Sequence, residues 1–419
     1  MAPTALQSSE APTRLARRLG LGDAVVLGLG SMIGAGVFAA FAPAAEAAGA
    51  GLLLGLAIAG AVALCNAVSS ARLAAVYPES GGTYVYGRER LGPFFGYLAG
   101  FGFVVGKIAS LTAMALTFGL YALPAHARPL GIAAVVALTA VNLLGVTKTA
   151  GLTRVIVAGV IATLAFVVAS SLLAGEPDST RLGPLWPESG LHGVLASAGF
   201  LFFAFAGYAR IATLGEEVRE PERTIPRAIV AALAITLALY AGVAASVLLV
   251  LGADGVAQAA APLARAVEET SFGSLTPVVR AGAALAALGV ILSLLAGVSR
   301  TVFAMAAAGD LPRRLAAVHP TRKVPHVAEL AVGAAVIVVV ALADLRAAIG
   351  FSSVTVLAYY AIANAAAFTL PPGRRGSRLV PVLGFAGCCA IALALPTATV
   401  AAGLGVLAAG ALLYAARPR

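Results

Sequence analysis

Long apolar runs separated by short polar segments repeat along the whole chain. A hydrocarbon core about 30 Å thick needs roughly 20 apolar residues per crossing helix. On that scale the pattern predicts spans at 23–42, 51–75, 94–122, 129–146, 152–174 and 191–216. A second set follows at 228–252, 276–306, 327–343, 346–370, 379–396 and 398–415. The connecting segments are too short for a folded soluble domain. The largest are 175–190, 253–275 and about 307–326, the last carrying a basic cluster.

Composition and charge sharpen this picture. Of 419 residues 60% are apolar and 11% charged, and the mean hydropathy is +0.97. Burial rises only slowly with chain size, so a water-soluble fold has no room for that much apolar surface, and lipid must be the main solvent. The net charge of +10 does not point to nucleic acid, because the cations lie in short segments between apolar runs. With the N-terminal segment 1–22 placed in the cytoplasm, 21 of the 28 lysines and arginines fall inside. Only Arg128, Arg181, Arg265, Arg280 and Arg346 fall outside, while Lys107 and Arg210 lie within spans. This positive-inside alternation holds to residue 419. It predicts twelve spans in the cytoplasmic (inner) membrane with both termini cytoplasmic. Met1–Gly20 is polar and basic, so the first span is expected to act as its own insertion signal.

Enzyme chemistry has no foothold. Cys65, Cys388 and Cys389 lie inside apolar runs and the four histidines are scattered, so no disulfide, metal or cofactor is expected. No nucleophile–base pair or phosphate loop occurs. Asn66, Asn142 and Asn364 are expected to bond between helices.

The first span carries Gly30, Gly34 and Gly36 within Gly30–Phe38. Each glycine weakens a helix by roughly 1 kcal/mol relative to alanine. One reading is close packing through small residues. The other is a helix break, tolerated at that depth where it lines a cavity or is buried in protein. The sixth span favours the second reading, since Gly207 interrupts Phe202–Tyr208 at the matching place of a second five-helix set. Five helices per half make the halves opposite in orientation. Paired interruptions in matching spans point to a midplane site between inverted repeats.

Three stretches carry a family resemblance: G-S-M-I-G-A-G-V-F at 30–38, F-A-F-A-G-Y-A-R-I-A-T-L-G-E-E-V-R-E-P-E-R-T-I-P-R-A-I at 203–229, and S-R-T-V-F-A-M-A-A-A-G-D-L-P-R-R-L at 299–315. His319-Pro320 and Val324-Pro325-His326 follow. In order and spacing the sequence resembles an amino acid–polyamine–organocation permease. The resemblance implies an all-α integral membrane fold, with the 5+5 inverted-repeat core of the sodium-coupled leucine transporters and discontinuous first and sixth helices. The first repeat would occupy 23–174, the second 191–370, and two further helices 379–415. It also implies a secondary transporter that moves small L-amino acids by alternating access, with protons or a counter-transported amino acid as coupling partner.

By position, the substrate carboxylate would meet N–H groups around Met32, Ala35 and Gly36. The ammonium would meet carbonyls of Met32 and near Phe203, Ala204 and Ala206. Broken-helix ends offer partial charges of both signs, which suits a zwitterion. The binding set is therefore Ser31, Met32, Ile33, Gly34, Ala35 and Gly36 with Phe203, Ala204, Ala206 and Gly207. Phe203 stands where the family often places an aromatic lid. Leu292, Ser293 and Thr355 are further candidates.

Departures from the family pattern bear on substrate and coupling. Ala209 stands where members that handle cations commonly have an acid, and Arg210 follows it, which favours neutral substrates over polyamines or organic cations. The span 5 lysine of some proton-coupled members is absent from 155–174. Lys107 in the third span is the candidate coupling residue, since desolvation disfavours the charged form of a buried amine and a mid-membrane charge is costly unless it functions. The alternative is a structural lysine on free carbonyls. Arg210 is a second charge near the site, or a partner of Glu216 or Glu217, which are expected at an inner gate. A non-transporting receptor is the rival from another class, although it has no need of two matched helix breaks.

Overall fold

The computed structural model describes residues 20–77, 81–145, 150–208, 211, 218–371 and 377–417. Apart from short 3-10 turns, the regular elements there are α-helices. In chain order they are α1 (Leu21–Met32), α2 (Gly36–Ala39), α3 (Phe41–Ala48), α4 (Leu52–Val76), α5 (Thr83–Leu91), α6 (Pro93–Ala122), α7 (Ala127–Leu143) and α8 (Ala150–Leu173). The second half contains α9 (Gly190–Phe205), α10 (Pro221–Gln258), α11 (Pro262–Glu268), α12 (Thr276–Ala307), α13 (His326–Leu342), α14 (Leu345–Phe368), α15 (Leu379–Leu393) and α16 (Thr397–Ala415).

Proline punctuates the starts. Pro93, Pro221 and Pro262 open α6, α10 and α11, where a missing N–H has no intrahelical acceptor to lose. Gly92, at φ 103°, supplies the left-handed residue that separates α5 from α6. Among the described residues nine helical stretches are long and apolar enough to cross a membrane. The shorter apolar helices α9, α13 and α15 fall at three further expected spans. Within the expected 191–216, α9 ends at Phe205 and gives way to a turn over Ala206–Tyr208.

The helices pack as two groups. α6 is the hub of one, with α5, α7, α12 and α14 along it and α13 against α6 and α7. In the other, α1 and α4 pack on α10 and α9 packs on α4, with α3 against α9 and α10. Buried amides bridge helices between the groups and within the first. Asn364 of α14 donates to Asn66 Oδ1 of α4 at 2.6 Å. Asn142 of α7 donates to Glu329 Oε1 of α13 at 2.8 Å and to the Leu292 carbonyl of α12 at 3.3 Å. In α16 only Gly403 and Gly410 are buried, so its remaining surface is left for lipid.

A polar joint ties four elements beyond the end of α12. Asp310, only 7% exposed, accepts the Tyr84 hydroxyl of α5 at 2.6 Å and Arg88 Nη1 of the same helix at 3.4 Å. From beyond α16, Arg417 Nη1 reaches the other carboxylate oxygen at 2.7 Å, and its Nη2 donates to the Asp310 carbonyl. The Arg417 guanidinium lies 4.1 Å from the Tyr97 ring centroid of α6, a cation–π distance. α5, α12 and α16 pack little against one another, so this buried carboxylate is their common fixing point. Burial, followed by the Asp310 hydrogen bond, pushes the Tyr84 phenol up to about 12, with Arg88 opposing.

Candidate functional site

The glycines of the first span produce an interruption. α1 ends at Met32, and Ile33 leaves helical geometry at ψ 78° while still donating to Leu29 at 2.6 Å. Gly34 N–H turns back to the Met32 carbonyl at 2.8 Å, and the helix resumes at Gly36. The first N–H groups of the resumed helix have no intrahelical acceptor. α9 stops at Phe205 and passes into a turn over Ala206–Tyr208. There Tyr208 N–H goes to Phe205 at 3.4 Å, which takes from Ala204 the donor four residues ahead that a continuing helix would supply.

The two interruptions cross backbone to backbone. A Cβ on Gly207 would lie 1.8 Å from the Ser31 carbonyl oxygen and 2.8 Å from the Met32 nitrogen. A Cβ on Gly36 would lie 2.8 Å from Ala204 Cα. No side chain fits at either place. Of the sequence-expected set, Ser31, Met32 and Gly36 are thereby brought against Ala204 and Gly207. Met32, Ile33, Ala35 and Ala204 are buried, Phe203 is 8% exposed, and Ser31 turns its hydroxyl back to Leu27 at 2.9 Å. Ala206 offers its carbonyl to the Tyr360 hydroxyl of α14 at 3.5 Å.

Gly34 plays a different part from its neighbours. Its missing side chain faces Val290 Cγ2 of α12, 2.5 Å from where a Cβ would stand. Val290 is thus the α12 residue that Gly34 meets at the break. Ser293 is exposed and bonds back to Gly289 at 2.9 Å. The Leu292 carbonyl is taken up by Asn142. Leu292 therefore lies on another side of α12 from Val290, whereas Ser293, three residues on, shares the Val290 side of the helix. Thr355 is buried against Gly106 of α6 and bonds to its own helix at Phe351 and Ser352.

Lys107 is 8% exposed on the α6 stripe that faces α14. One turn before it Phe103 meets the Tyr359 ring at 5.3 Å, and just beyond it Ser110 and Ser352 share a 2.6 Å hydroxyl contact. Its Nζ lies 5.9 Å from the Phe103 ring centroid. Among the described residues it has no salt bridge. Arg210, Glu216 and Glu217 lie outside the described residues.

Sequence reasoning missed the tyrosines that reach the interruptions. Tyr240 of α10 donates to the Met32 carbonyl at 2.8 Å and lies 3.4 Å from that of Ala204. Tyr121 of α6 donates to the Phe38 carbonyl at 3.0 Å. Tyr240, Tyr121 and the Tyr360 that meets Ala206 are each at most 2% exposed. Tyrosine hydroxyls in the middle of apolar runs were the available signal, because a buried phenol needs a partner. Another unanticipated contact joins the start of the broken helix to α8, through Asp23 and Arg154 at 2.8 Å.

The amino acid permease family model matches residues 23–371, a stretch that contains both interruptions and the α6–α14 interface. The chain belongs to the amino acid permease family. It is a multi-pass membrane transporter rather than an enzyme. A protein named an uncharacterized transporter from Mycobacterium tuberculosis is 60% identical over 413 residues, covering 98% of this chain and 94% of the relative. A branched-chain amino acid permease from Bacillus subtilis is 26% identical over 344 residues, 75% of this chain and 72% of the relative. Cationic amino acid transporter 4 from Homo sapiens is 29% identical over 386 residues, 86% of this chain and 60% of the relative.

Proposed function

We propose that this permease moves small neutral L-amino acids across the cytoplasmic membrane by alternating access, through twelve spans with both termini inside. The observation that carries this reading is the crossing of two interrupted helices, where the Ser31–Met32 peptide meets Gly207, Gly36 meets Ala204, and one hydroxyl reaches the carbonyls of both Met32 and Ala204. Backbone dipoles of both signs fit an ammonium and a carboxylate on one carbon. In this reading the group around α1, α4, α9 and α10 rocks against the group built on α6. Residues 23–174 and 191–370 are the inverted repeats, and 379–415 the added pair.

Neutral selectivity rests on charge. Ala209 leaves no acid two residues after Gly207, Arg210 follows it, and Lys107 adds a buried cation. A net positive ligand meets repulsion that a zwitterion does not. The name of the human relative keeps a cationic substrate as the competing reading. Lys107 is the proposed proton carrier, which makes the protein a proton-coupled carrier; exchange is the alternative mode.

The test is a thermal-shift screen of purified protein against all twenty amino acids and common polyamines, followed by uptake of the hits in proteoliposomes. Ligands of the folded state raise the melting temperature by mass action. Stabilisation and uptake by neutral amino acids are expected. Saturable putrescine uptake without competition from amino acids refutes the neutral reading, and binding without translocation supports a receptor.

A further inference from the structure

The carbonyls freed by the two helix interruptions are not left bare. Ala204 has lost the Tyr208 N–H that a continuing α9 would have given it, and Met32, where α1 ends, receives the Gly34 N–H at 2.8 Å and keeps a second lone pair to be met. Both sites are buried, and a buried acceptor without a donor is unfavourable. Tyr240 meets both with one hydroxyl, at 2.8 Å from Met32 O and 3.4 Å from Ala204 O. Its ring is fully buried and packs on Phe205 at a centroid distance of 5.4 Å. These two carbonyls come from opposite sides of the crossing, one from each interrupted helix. An N–H or O–H donor between them ties α1 to α9 when no substrate is present.

We propose that the Tyr240 hydroxyl is a stand-in for the substrate's ammonium, holding the crossing together in the empty carrier and yielding its carbonyls when substrate binds. The inference rests on the amino acid reading above and adds a positioning residue to it. A phenol gives one hydrogen bond and no charge, whereas an ammonium gives three donors and a full charge. The exchange therefore favours a ligand with a primary ammonium and disfavours one that lacks it. It also separates the two halves of a transport cycle. Exchange returns the carrier loaded, with ammonium on the carbonyls. Net uptake returns it empty, and only then is the hydroxyl needed.

Tyr240→Phe keeps the ring on Phe205 and removes the donor. Displacing one intramolecular hydrogen bond lowers apparent ligand affinity about 2- to 12-fold, so the variant should bind a transported amino acid more tightly by a factor in that range. The probe is L-leucine, or whichever of the twenty the wild type carries best, radiolabelled in proteoliposomes. Exchange of labelled for unlabelled amino acid should stay within about threefold of wild type, while net uptake into empty vesicles falls at least about tenfold. Equal losses in both modes, or weaker binding, overturn the proposal and make Tyr240 a structural staple. So does a variant indistinguishable from wild type. Melting temperature and monodispersity are measured alongside, and Tyr240→Trp, which restores an N–H donor at larger size, should recover part of the net uptake. If the wild type carries none of the twenty amino acids, the functional reading fails first and this proposal falls with it.

Discussion

Replacing Gly207 by alanine is the sharpest perturbation of the crossing. The added methyl would stand 1.8 Å from the Ser31 carbonyl oxygen and 2.3 Å from its carbon. Ordinary van der Waals contact begins near 3.4 Å, so the two chains must part by about 1.5 Å. The obstacle is main chain, and no rotamer change relieves it. Overpacking of this kind costs about 1–3 kcal/mol, and displacing a binding group by about 1 Å costs on the order of 100-fold in rate. We therefore expect Gly207→Ala to insert and remain monodisperse, to melt at lower temperature, and to transport at most about 1% of wild type. The control is Gly242→Ala on α10, where a Cβ meets nothing within 4 Å. That variant should transport normally and gain up to about 1 kcal/mol from helix propensity. Initial uptake rates in proteoliposomes at matched reconstitution decide the matter. A Gly207→Ala protein with a third or more of wild-type uptake would refute the backbone crossing as the working site.

Other consequences are open to similar measurement. Gly34→Ala should impair uptake through its clash with the tip of Val290, and Val290→Ala should rescue it; failure of the double variant would return Gly34 to a substrate-contact role. Lys107→Met should abolish uptake driven by a pH gradient while exchange survives at least in part, and accumulation against a gradient by that variant excludes Lys107 as the coupler. The Tyr84 phenol, pushed up to about 12 from an ordinary 10, should contribute stability that is complete below pH 10 and is lost as pH rises from there towards 12, because the unfolded state releases its proton first. Melting of the wild type in detergent should accordingly fall more steeply across that window than melting of Tyr84→Phe, and parallel curves would contradict the assignment.

Much of the fold is legible because lipid imposes one demand on every span, so hydropathy located most helices to within a few residues, although α9 leaves the expected 191–216 at Phe205 and α10 overruns 228–252 at both ends. The interruptions were legible through Gly30, Gly34, Gly36 and Gly207, since glycine at that depth carries either a break or a close contact. Here one such glycine, Gly34, answers to Val290 while Gly207 answers to backbone. What stayed hidden depends on helix rotation. α12 is apolar nearly all round, so its sequence does not reveal that the Val290 side rather than the Leu292 side meets Gly34. Tyr240 and Tyr360 read as core aromatics until their neighbours are known, because the direction of a hydroxyl is a tertiary fact. Arg417 and Asp310 read as loop charges sorted by membrane side, and 107 residues separate them.

That separation sets a clock on assembly. When Asp310 is made, Tyr84 and Arg88 already exist, and the carboxylate can begin to bury itself against α5. Its stronger guanidinium partner has not yet been synthesised. At about 5–20 residues per second the ribosome needs on the order of 5–20 s to reach Arg417. Throughout that interval the Asp310 carboxylate has only its α5 partners, and the α6 ring of Tyr97 awaits the cation that will cover it. A nascent chain stalled between α13 and α16 would present this acidic, half-paired joint to whatever basic or chaperoning surface the insertion machinery offers.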